Sequence, residues 1–191
     1  MTPAEMSTEA ARICALAPVV PVLVIDDLAH AAPLARALVA GGLPALEVTL
    51  RTPVALDAIR AMAAVPGGVV GAGTLLTPAD VKAAKAAGAK FGVSPGATDR
   101  IIKACEDEGL PLLPGAATAT EVMVLLEKGF TVQKFFPAEA SGGAAALRRK
   151  RGDRMKLVVV GSRFFGATVL DALRKEAGVV VDFVHPATKH D

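Results

Sequence analysis

The sequence contains no tryptophan or tyrosine, and only 7 of its 191 residues are phenylalanine. Proteins that bind single-stranded nucleic acids stack bases on aromatic side chains, so we expect no nucleic-acid partner. Cysteine is also scarce, and Cys14 and Cys105 predict a reduced compartment without a disulfide framework. We interpret both thiols as core residues. Because no charged and apolar leader precedes a cleavage site, we expect a cytoplasmic location.

Long hydrophobic runs are missing as well. The longest uncharged stretch, residues 61–79, contains Pro66, Pro78 and four glycines. A membrane helix of about 20 residues would not carry these residues, so we expect no membrane partner. The composition also excludes a disordered chain, because disordered segments are poor in hydrophobic residues, whereas here hydrophobic residues make up 52% of the chain and charged residues 21%.

Charge is distributed unevenly along the chain. Residues 1–143 contain 11 basic and 14 acidic side chains, whereas residues 144–191 contain 10 and 5. A basic run at residues 148–151 has the character of a solvated helix end. We therefore predict two parts, an acidic portion at 1–147 and an atypical basic segment at 148–191.

Short apolar segments alternate with alanine-rich segments that carry helix start and stop signals. The apolar segments predict strands buried on both faces, as in a parallel sheet, at Val19–Ile25, Ala45–Leu50, Val69–Thr74, Phe91–Pro95, Leu110–Gly115 and Val132–Pro137. The alanine-rich segments predict helices at Leu28–Val39, Thr52–Ala64, Pro78–Ala87, Asp99–Glu108 and Thr120–Lys128. Thr52 and Thr77 precede prolines and predict helix caps, and Thr118 with Glu121 predicts a capping box.

Repeated βα units indicate an α/β protein, either an open doubly wound sheet or a (β/α)8 TIM barrel. The first strand ends at Ile25 and is followed by Asp26 and Asp27, which do not form the glycine-rich turn that binds a dinucleotide. Polar and glycine residues instead follow many strands at their carboxyl ends. That distribution favours the barrel, whose site is assembled from several strand ends.

The second predicted strand places three polar side chains on one face. Glu47, Thr49 and Arg51 alternate with apolar residues, so they point toward the barrel interior or its mouth. A buried charge is unfavourable unless paired, so we expect Glu47 and Arg51 to pair with each other or to contact a ligand. A purely structural ion pair is the alternative interpretation.

Lys134 lies in the middle of the sixth predicted strand, which is mostly apolar. Burial disfavours an ammonium ion and favours the neutral amine that Schiff-base catalysis on a ketone requires. The alternative is a lysine with a buried stem and a solvated head. The spacing of His30, His185 and His190 does not suit metal ligands, so no metal site is predicted.

Several of these segments, in the same order and spacing, resemble the 2-keto-3-deoxy-6-phosphogluconate (KDPG) aldolase family over residues 10–147. The segments are Pro18–Val22, Ala37–Gly42, Leu46–Thr52, Gly71–Thr74, Ser94–Gly96, Pro114–Gly115 and Lys134–Glu139. The resemblance implies a (β/α)8 barrel, usually a homotrimer, that works without a metal or cofactor. It also implies cleavage of KDPG to pyruvate and glyceraldehyde 3-phosphate, and activity on 4-hydroxy-2-oxoglutarate.

The resemblance also implies roles for individual residues. Lys134 would form the Schiff base, and Glu47 would act as general acid and base. Arg51 and Thr74 would hold the carboxylate of the keto acid, and Pro95 and Phe136 would form pocket walls.

The resemblance ends near Gly142. The family continues with a Pro-Thr-Gly-Gly and later a Gly-Gly-Ser strand end, which bind phosphate, and neither motif occurs here. Residues 155–186 predict a βαβ unit that resembles the first unit of formyltransferases using 10-formyltetrahydrofolate. The tail would then be a fused or rearranged segment, a pair of divergent barrel units, or an assembled chimera.

With such a tail, we expect an eight-stranded barrel with two atypical last units and no final helix. The alternative function is an inactive or impaired barrel that acts only as a binding or structural protein.

Overall fold

The computed structural model describes residues 1–143 and 145–146, and the backbone of residues 156–161 and 181–182. The helices of this part are α1 Pro3–Cys14, α2 Ala31–Ala40, α3 Ala55–Ala63, α4 Pro78–Ala86, α5 Asp99–Glu108 and α6 Ala119–Glu127, with a 3₁₀ turn at Leu28–His30. The strands are β1 Val22–Leu23, β2 Ala45–Thr49, β3 Val69–Gly73, β4 Phe91–Val93, β5 Leu112–Leu113, β6 Gly115–Ala116, β7 Val132–Phe135, β8 Lys156–Gly161 and β9 Val181–Asp182.

All the strand pairs are parallel and follow chain order. One ladder runs from β1 to β5, and a second runs from β6 to β9. Only Pro114 separates β5 from β6, because proline cannot donate a ladder hydrogen bond. The two short strands therefore occupy one strand position of the barrel, where the sequence predicts a single strand from Leu110 to Gly115. The fold is a (β/α)8 barrel with eight strand positions.

Helix α1 packs against the beginnings of the strands. Its residues Ala10, Ile13 and Cys14 share a core cluster with strand residues such as Val22 and Phe91. A larger cluster joins the other face of the strands to helices α2 to α6, for example Leu46 with Ile59. The alternation of side chains along each strand explains these two layers. The inward-facing apolar side chains pack on α1. The inward-facing polar side chains lie nearer the carboxyl ends of the strands.

Helix α1 is absent from the sequence-based predictions although its start signal is clear. Thr2 accepts a hydrogen bond from the Glu5 amide, Glu5 accepts one from the Thr2 amide, and Pro3 occupies the first turn. The helix cap predicted at Thr77 and the capping box predicted for Thr118 with Glu121 are confirmed, and Thr77 also forms a capping box, with Asp80.

The cap predicted at Thr52 is wrong. Helix α3 begins only at Ala55, and its cap position, Val54, makes no side-chain cap hydrogen bond. The Thr52 hydroxyl instead donates to the carbonyl of Ile25, at 2.6 Å. This bond ties the end of β2 to the end of β1, so a contact between strands replaces the local helix cap.

The tail contributes two strands to the barrel ladder. Residues 156–159 of β8 pair with 132–135 of β7, and β8 pairs with β9 at Val160 and Gly161. The predicted helix between these strands, the basic run at 148–151 and the expected absence of a final helix all lie outside the described residues. Within the described part of the chain, no helix is long and apolar enough to cross a membrane.

Candidate active site

Lys134 and Glu47 meet inside the barrel. Lys134 lies on β7 and Glu47 on β2, 87 residues apart in the sequence. The Lys134 Nζ atom donates to both carboxylate oxygens of Glu47, at 3.1 Å to Oε1 and 3.4 Å to Oε2. Alternation along the strands brings both side chains to the same inner layer. An amine and a carboxylate, which can exchange protons, therefore lie together in one enclosed site.

The pair is almost fully shielded from solvent. The side chains of Lys134 and Glu47 are 6% and 2% exposed. Each charge compensates the other, which is the condition under which two ionised groups are tolerated in an interior. Of the two predicted options for Glu47 and Arg51, a mutual pair or contact with a ligand, the mutual pair is wrong, because Glu47 pairs with Lys134. Arg51 is exposed and forms no ion pair with any residue that the structure describes.

An aromatic ring and a glycine complete the immediate surroundings of the pair. The ring centroid of Phe136 lies 5.4 Å from Lys134 Nζ, within the range of a cation–π contact. On the other side, a Cβ atom added to Gly73 would lie 2.2 Å from Oε1 of Glu47. Glycine within a strand often marks the close approach of another group, and the glycines of β3 leave room for side chains. The Phe91 ring occupies the corresponding space at Gly71.

Three of the predicted site residues follow neighbouring strands at their carboxyl ends. Arg51 follows β2, Thr74 follows β3 and Pro95 follows β4. Thr74 and Pro95 are half-buried, and Arg51 faces solvent. The strand register pairs Thr49 with Gly73, which brings the first two strand ends close together. All three residues therefore lie at the same end of the barrel, next to the end of β7 that carries Phe136.

Thr74 has an unusual backbone conformation. Its φ angle is +63°, which is rarely adopted by a β-branched residue. Residues held in such conformations concentrate at functional sites, where the surrounding structure imposes them. The geometry of Thr74 therefore marks the end of β3 independently of its chemistry.

The strand that carries Lys134 is fixed at its start and on its outer face. The Ser7 hydroxyl of α1 accepts hydrogen bonds from the amides of Thr131 and Val132, at 2.9 and 3.1 Å. On the outer face, the Gln133 side-chain amide donates to the carbonyls of Val122 and Phe130. The sequence-based prediction missed Ser7 and Gln133. The capping box of Thr2 and Glu5 marks the start of α1, so it is the sequence signal that could have placed Ser7 on a helix.

The two thiols belong to the core, as predicted. Burial, and in second place the negative charge of Glu47, raises the pKa of Cys14 to about 11. Burial raises the pKa of Cys105 to about 12. Both thiols therefore stay protonated at neutral pH, which excludes them as nucleophiles. Among the side chains that the structure describes, no group of three or more His, Cys, Asp or Glu residues could hold a metal ion.

The fold and the site define a class of protein, a (β/α)8 barrel that holds a buried amine beside a carboxylate. The family model for KDPG and KHG aldolases matches residues 10–172. The chain belongs to this family.

Three relatives illustrate the similarity. The KHG/KDPG aldolase of Escherichia coli K12 is 50% identical over 146 residues, which are 76% of this chain and 68% of that protein. A crystal structure of the Zymomonas mobilis ZM4 2-keto-3-deoxy-6-phosphogluconate aldolase with 3-phosphoglycerate superimposes with a TM-score of 0.87, at 42% identity. The superposition covers 97% of this chain and 90% of that one.

A third relative is the KDPG aldolase of Legionella pneumophila, captured with pyruvate as a covalent carbinolamine. It superimposes with a TM-score of 0.81 at 39% identity, covering 90% of this chain and 84% of that one.

The family match extends into the basic tail. It ends at residue 172, and the strand β8 within it pairs with β7 of the barrel. The predicted likeness of residues 155–186 to formyltransferases gains no support from these comparisons. Its helix and most of its residues lie outside the part of the chain that the structure describes.

Proposed function

We propose that the chain is a class I aldolase that cleaves 2-keto-3-deoxy-6-phosphogluconate to pyruvate and glyceraldehyde 3-phosphate, and that it also accepts 4-hydroxy-2-oxoglutarate. Membership of the KDPG and KHG aldolase family supports the reaction type. The observation that carries the residue assignment is the buried contact of Lys134 Nζ with Glu47 Oε1, at 3.1 Å. A Schiff-base aldolase needs an amine and a proton-transfer group within reach of one carbon skeleton, and this pair supplies both.

The first half of the proposed mechanism forms the imine. The Lys134 ammonium gives a proton to the Glu47 carboxylate, which leaves a neutral amine. The amine nitrogen attacks the C2 carbonyl carbon of the keto acid and gives a carbinolamine. Glu47 donates a proton to the departing hydroxyl, water leaves, and a protonated imine remains at C2.

The second half breaks the carbon–carbon bond. The Glu47 carboxylate removes the proton of the C4 hydroxyl, the C3–C4 bonding electrons move into the imine, and the aldehyde leaves. The resulting enamine takes a proton at C3, and water then releases pyruvate and restores the amine. The protonated imine serves as the electron sink, so the protein needs no metal for this step.

Residues at the strand ends are assigned to substrate binding. We assign Arg51 and Thr74 to the substrate carboxylate, and Pro95 and Phe136 to the pocket walls. The exposed guanidinium of Arg51 is suited to a carboxylate, which it can bind with two parallel hydrogen bonds. The position of Phe136, 5.4 Å from Lys134 Nζ, supports its assignment as a wall beside the imine.

Borohydride trapping tests this proposal. The folded protein is incubated with pyruvate and sodium borohydride, and the adduct is mapped by peptide mass spectrometry. We expect one reduced pyruvate on Lys134, no adduct in Lys134→Met, and an unchanged adduct in the control Lys82→Met, which removes an exposed lysine of α4. Folded protein without an adduct on Lys134 would leave only the binding or structural role for this barrel.

Two further assignments accompany the function. We propose a homotrimer, for which light scattering coupled to size-exclusion chromatography should give a mass of about 58 kDa, three times the 19.4 kDa of the chain. A monomer mass in that measurement would contradict it. We also place the reaction in the cytoplasm, an assignment that two buried free thiols support.

A further inference from the structure

Gly73 leaves the space that the Glu47 carboxylate occupies. A Cβ atom at Gly73 would lie 2.2 Å from Oε1 of Glu47, 2.8 Å from its Cγ and 2.9 Å from its Cδ. Real Cβ atoms essentially never approach other atoms so closely, so all of these atoms would have to move. The three nearest atoms all belong to Glu47 and none to the backbone. Any side chain at position 73 would therefore act first on the carboxylate.

The atom closest to Gly73 is also the one closest to Lys134. Glu47 Oε1 lies 3.1 Å from Lys134 Nζ, and Oε2 lies 3.4 Å from it. The Glu47 carboxylate therefore lies between Gly73 of β3, which has no side chain, and the Lys134 amine of β7. The strand register pairs Glu47 with Gly71 and Thr49 with Gly73, so the Glu47 side chain reaches the glycine two residues farther along β3, on the same strand face.

We propose that Gly73 is a positioning residue that sets the distance between the Glu47 carboxylate and Lys134. This inference rests on the proposed aldolase function. A methyl group at position 73 displaces the carboxylate, and proton transfer to and from the bound substrate becomes slower. Binding of the keto acid depends on other groups and changes less. A displacement of about 1 Å at a reacting group can lower a rate by about 100-fold.

The substitution is suited to a test because the fold can accept it. The backbone of Gly73 does not have a positive φ angle, so alanine introduces no conformational strain there. The colliding atoms all belong to the Glu47 side chain and none to the backbone, so rotation of that side chain can relieve the contact. We therefore expect Gly73→Ala to fold, and circular dichroism with thermal melting checks this.

A double-mutant cycle separates an action through Glu47 from a general structural effect. Gly73→Ala is introduced alone and together with Glu47→Ala, which removes the atoms that collide. In the otherwise unchanged chain, Gly73→Ala should lower kcat for cleavage by about 100-fold, with KM changed by less than about threefold. In the Glu47→Ala background it should change the residual kcat by less than about twofold, because nothing is left to displace.

Two results would overturn the inference. One is a Gly73→Ala variant that keeps its kcat within about threefold of the unchanged chain, and the other is an equal loss in both backgrounds. The Gly71→Ala variant provides a comparison on the same strand face, since its methyl group meets the Phe91 ring rather than Glu47. Its effect on kcat should be about the same whether or not Glu47 is present.

The cycle also has a readout that does not need turnover. The same collision predicts that Gly73→Ala lowers the unfolding midpoint in urea more in the unchanged chain than in the Glu47→Ala background. If borohydride trapping finds no adduct on Lys134, the proposed function fails, but this coupling of stabilities still tests the geometry. Equal midpoint shifts in the two backgrounds refute the role of Gly73 on their own.

Discussion

Two opposite charges lie side by side within the barrel, and their energetics differ from those of a surface ion pair. The side chains of Lys134 and Glu47 are both shielded from water, so each lies next to a compensating opposite charge instead of solvent. The gain from such a pair roughly offsets its desolvation, whereas removal of one partner leaves the other charge uncompensated. The pair is therefore better explained by chemistry than by stability.

This asymmetry gives a stability prediction. Glu47→Ala should lower the free energy of unfolding by about 3 kcal/mol or more, because it strands the Lys134 ammonium. The double variant Glu47→Leu with Lys134→Met should recover most of that loss, since no charge remains buried. Urea denaturation measures both values.

The control for this prediction is Arg12→Met, which breaks the exposed pair of Arg12 with Glu9 and should leave the urea midpoint unchanged. A double variant that is no more stable than Glu47→Ala would contradict the prediction.

The thiols give a prediction about pH. Folding raises the pKa of Cys14 from 9.0 to about 11 and that of Cys105 to about 12, mainly by burial. A raised pKa means that the native state holds these protons more tightly. The stabilisation is therefore complete below pH 9 and is lost as the pH rises toward 11 and 12.

Each thiol should contribute a fall of up to about 1.4 kcal/mol in unfolding free energy per pH unit above 9. Urea melts at several pH values measure the slope. A variant with Cys14→Ala and Cys105→Ala should show a shallower slope, and an unchanged slope would argue against raised thiol pKa values. Iodoacetamide at pH 8.5 should label the cysteines only after unfolding.

At the scale of single elements, α1 holds the start of the strand that carries Lys134. The buried Ser7 hydroxyl accepts hydrogen bonds from the amides of Val132 in β7 and of Thr131, which precedes it. Amides buried without a partner are unfavourable by about 1–3 kcal/mol. The helix therefore serves as more than a cover for the inner layer.

Ser7→Ala should lower the unfolding free energy by about 1–3 kcal/mol, measured by urea denaturation. The matched control is Thr8→Ala in the next position of the helix, where the hydroxyl is exposed and donates to the carbonyl of Ala4. That change should stay within about 0.5 kcal/mol. Equal effects of the two substitutions would show that the contact between Ser7 and β7 contributes nothing.

The elements also show what the sequence can predict. Strands buried on both faces have a continuous apolar pattern, so the strand positions from β1 to β7 could be predicted from sequence. Thr77 and Thr118 are local signals with local partners, and both caps are confirmed. Thr52 has the same local sequence signal, but its hydroxyl donates to the carbonyl of Ile25 in the preceding βα unit. A rule based on neighbouring residues cannot predict that more distant partner.

The site shows the same division between local and distant information. Alternation places Glu47 on the inner face, and burial singles out Lys134 on its strand. That the two side chains touch depends on the closure of the barrel across 87 residues, so the sequence instead suggested Arg51 as the nearest opposite charge. The proposed role of Gly73 could not be predicted from sequence either. It depends on which side chain occupies the space next to the glycine, and only the folded structure shows that this is Glu47.

At the scale of the whole molecule, the two parts of the chain differ in charge yet join one sheet. Strand β8 of the basic part pairs with β7 along four residue pairs, and the family match runs to residue 172. The division at residue 147 remains a prediction about composition and not about separate folding. The two strand-end motifs that the family resemblance associates with phosphate binding do not occur in the sequence. We therefore expect the difference to concern the phosphate end of the substrate.

Loss of those motifs predicts a weakened preference for phosphate. Binding energy from a remote phosphate lowers the barrier at the reacting carbons, so its loss reduces catalytic efficiency without changing the reaction. We expect kcat/KM for 2-keto-3-deoxy-6-phosphogluconate to exceed that for its unphosphorylated analogue by no more than about tenfold. Both reactions should disappear in Lys134→Met, which serves as the control. A much larger preference would contradict the prediction and indicate a replacement phosphate site. Substituting the basic run at 148–151 by alanine would then test whether those side chains supply it, through a selective rise in KM for the phosphorylated substrate.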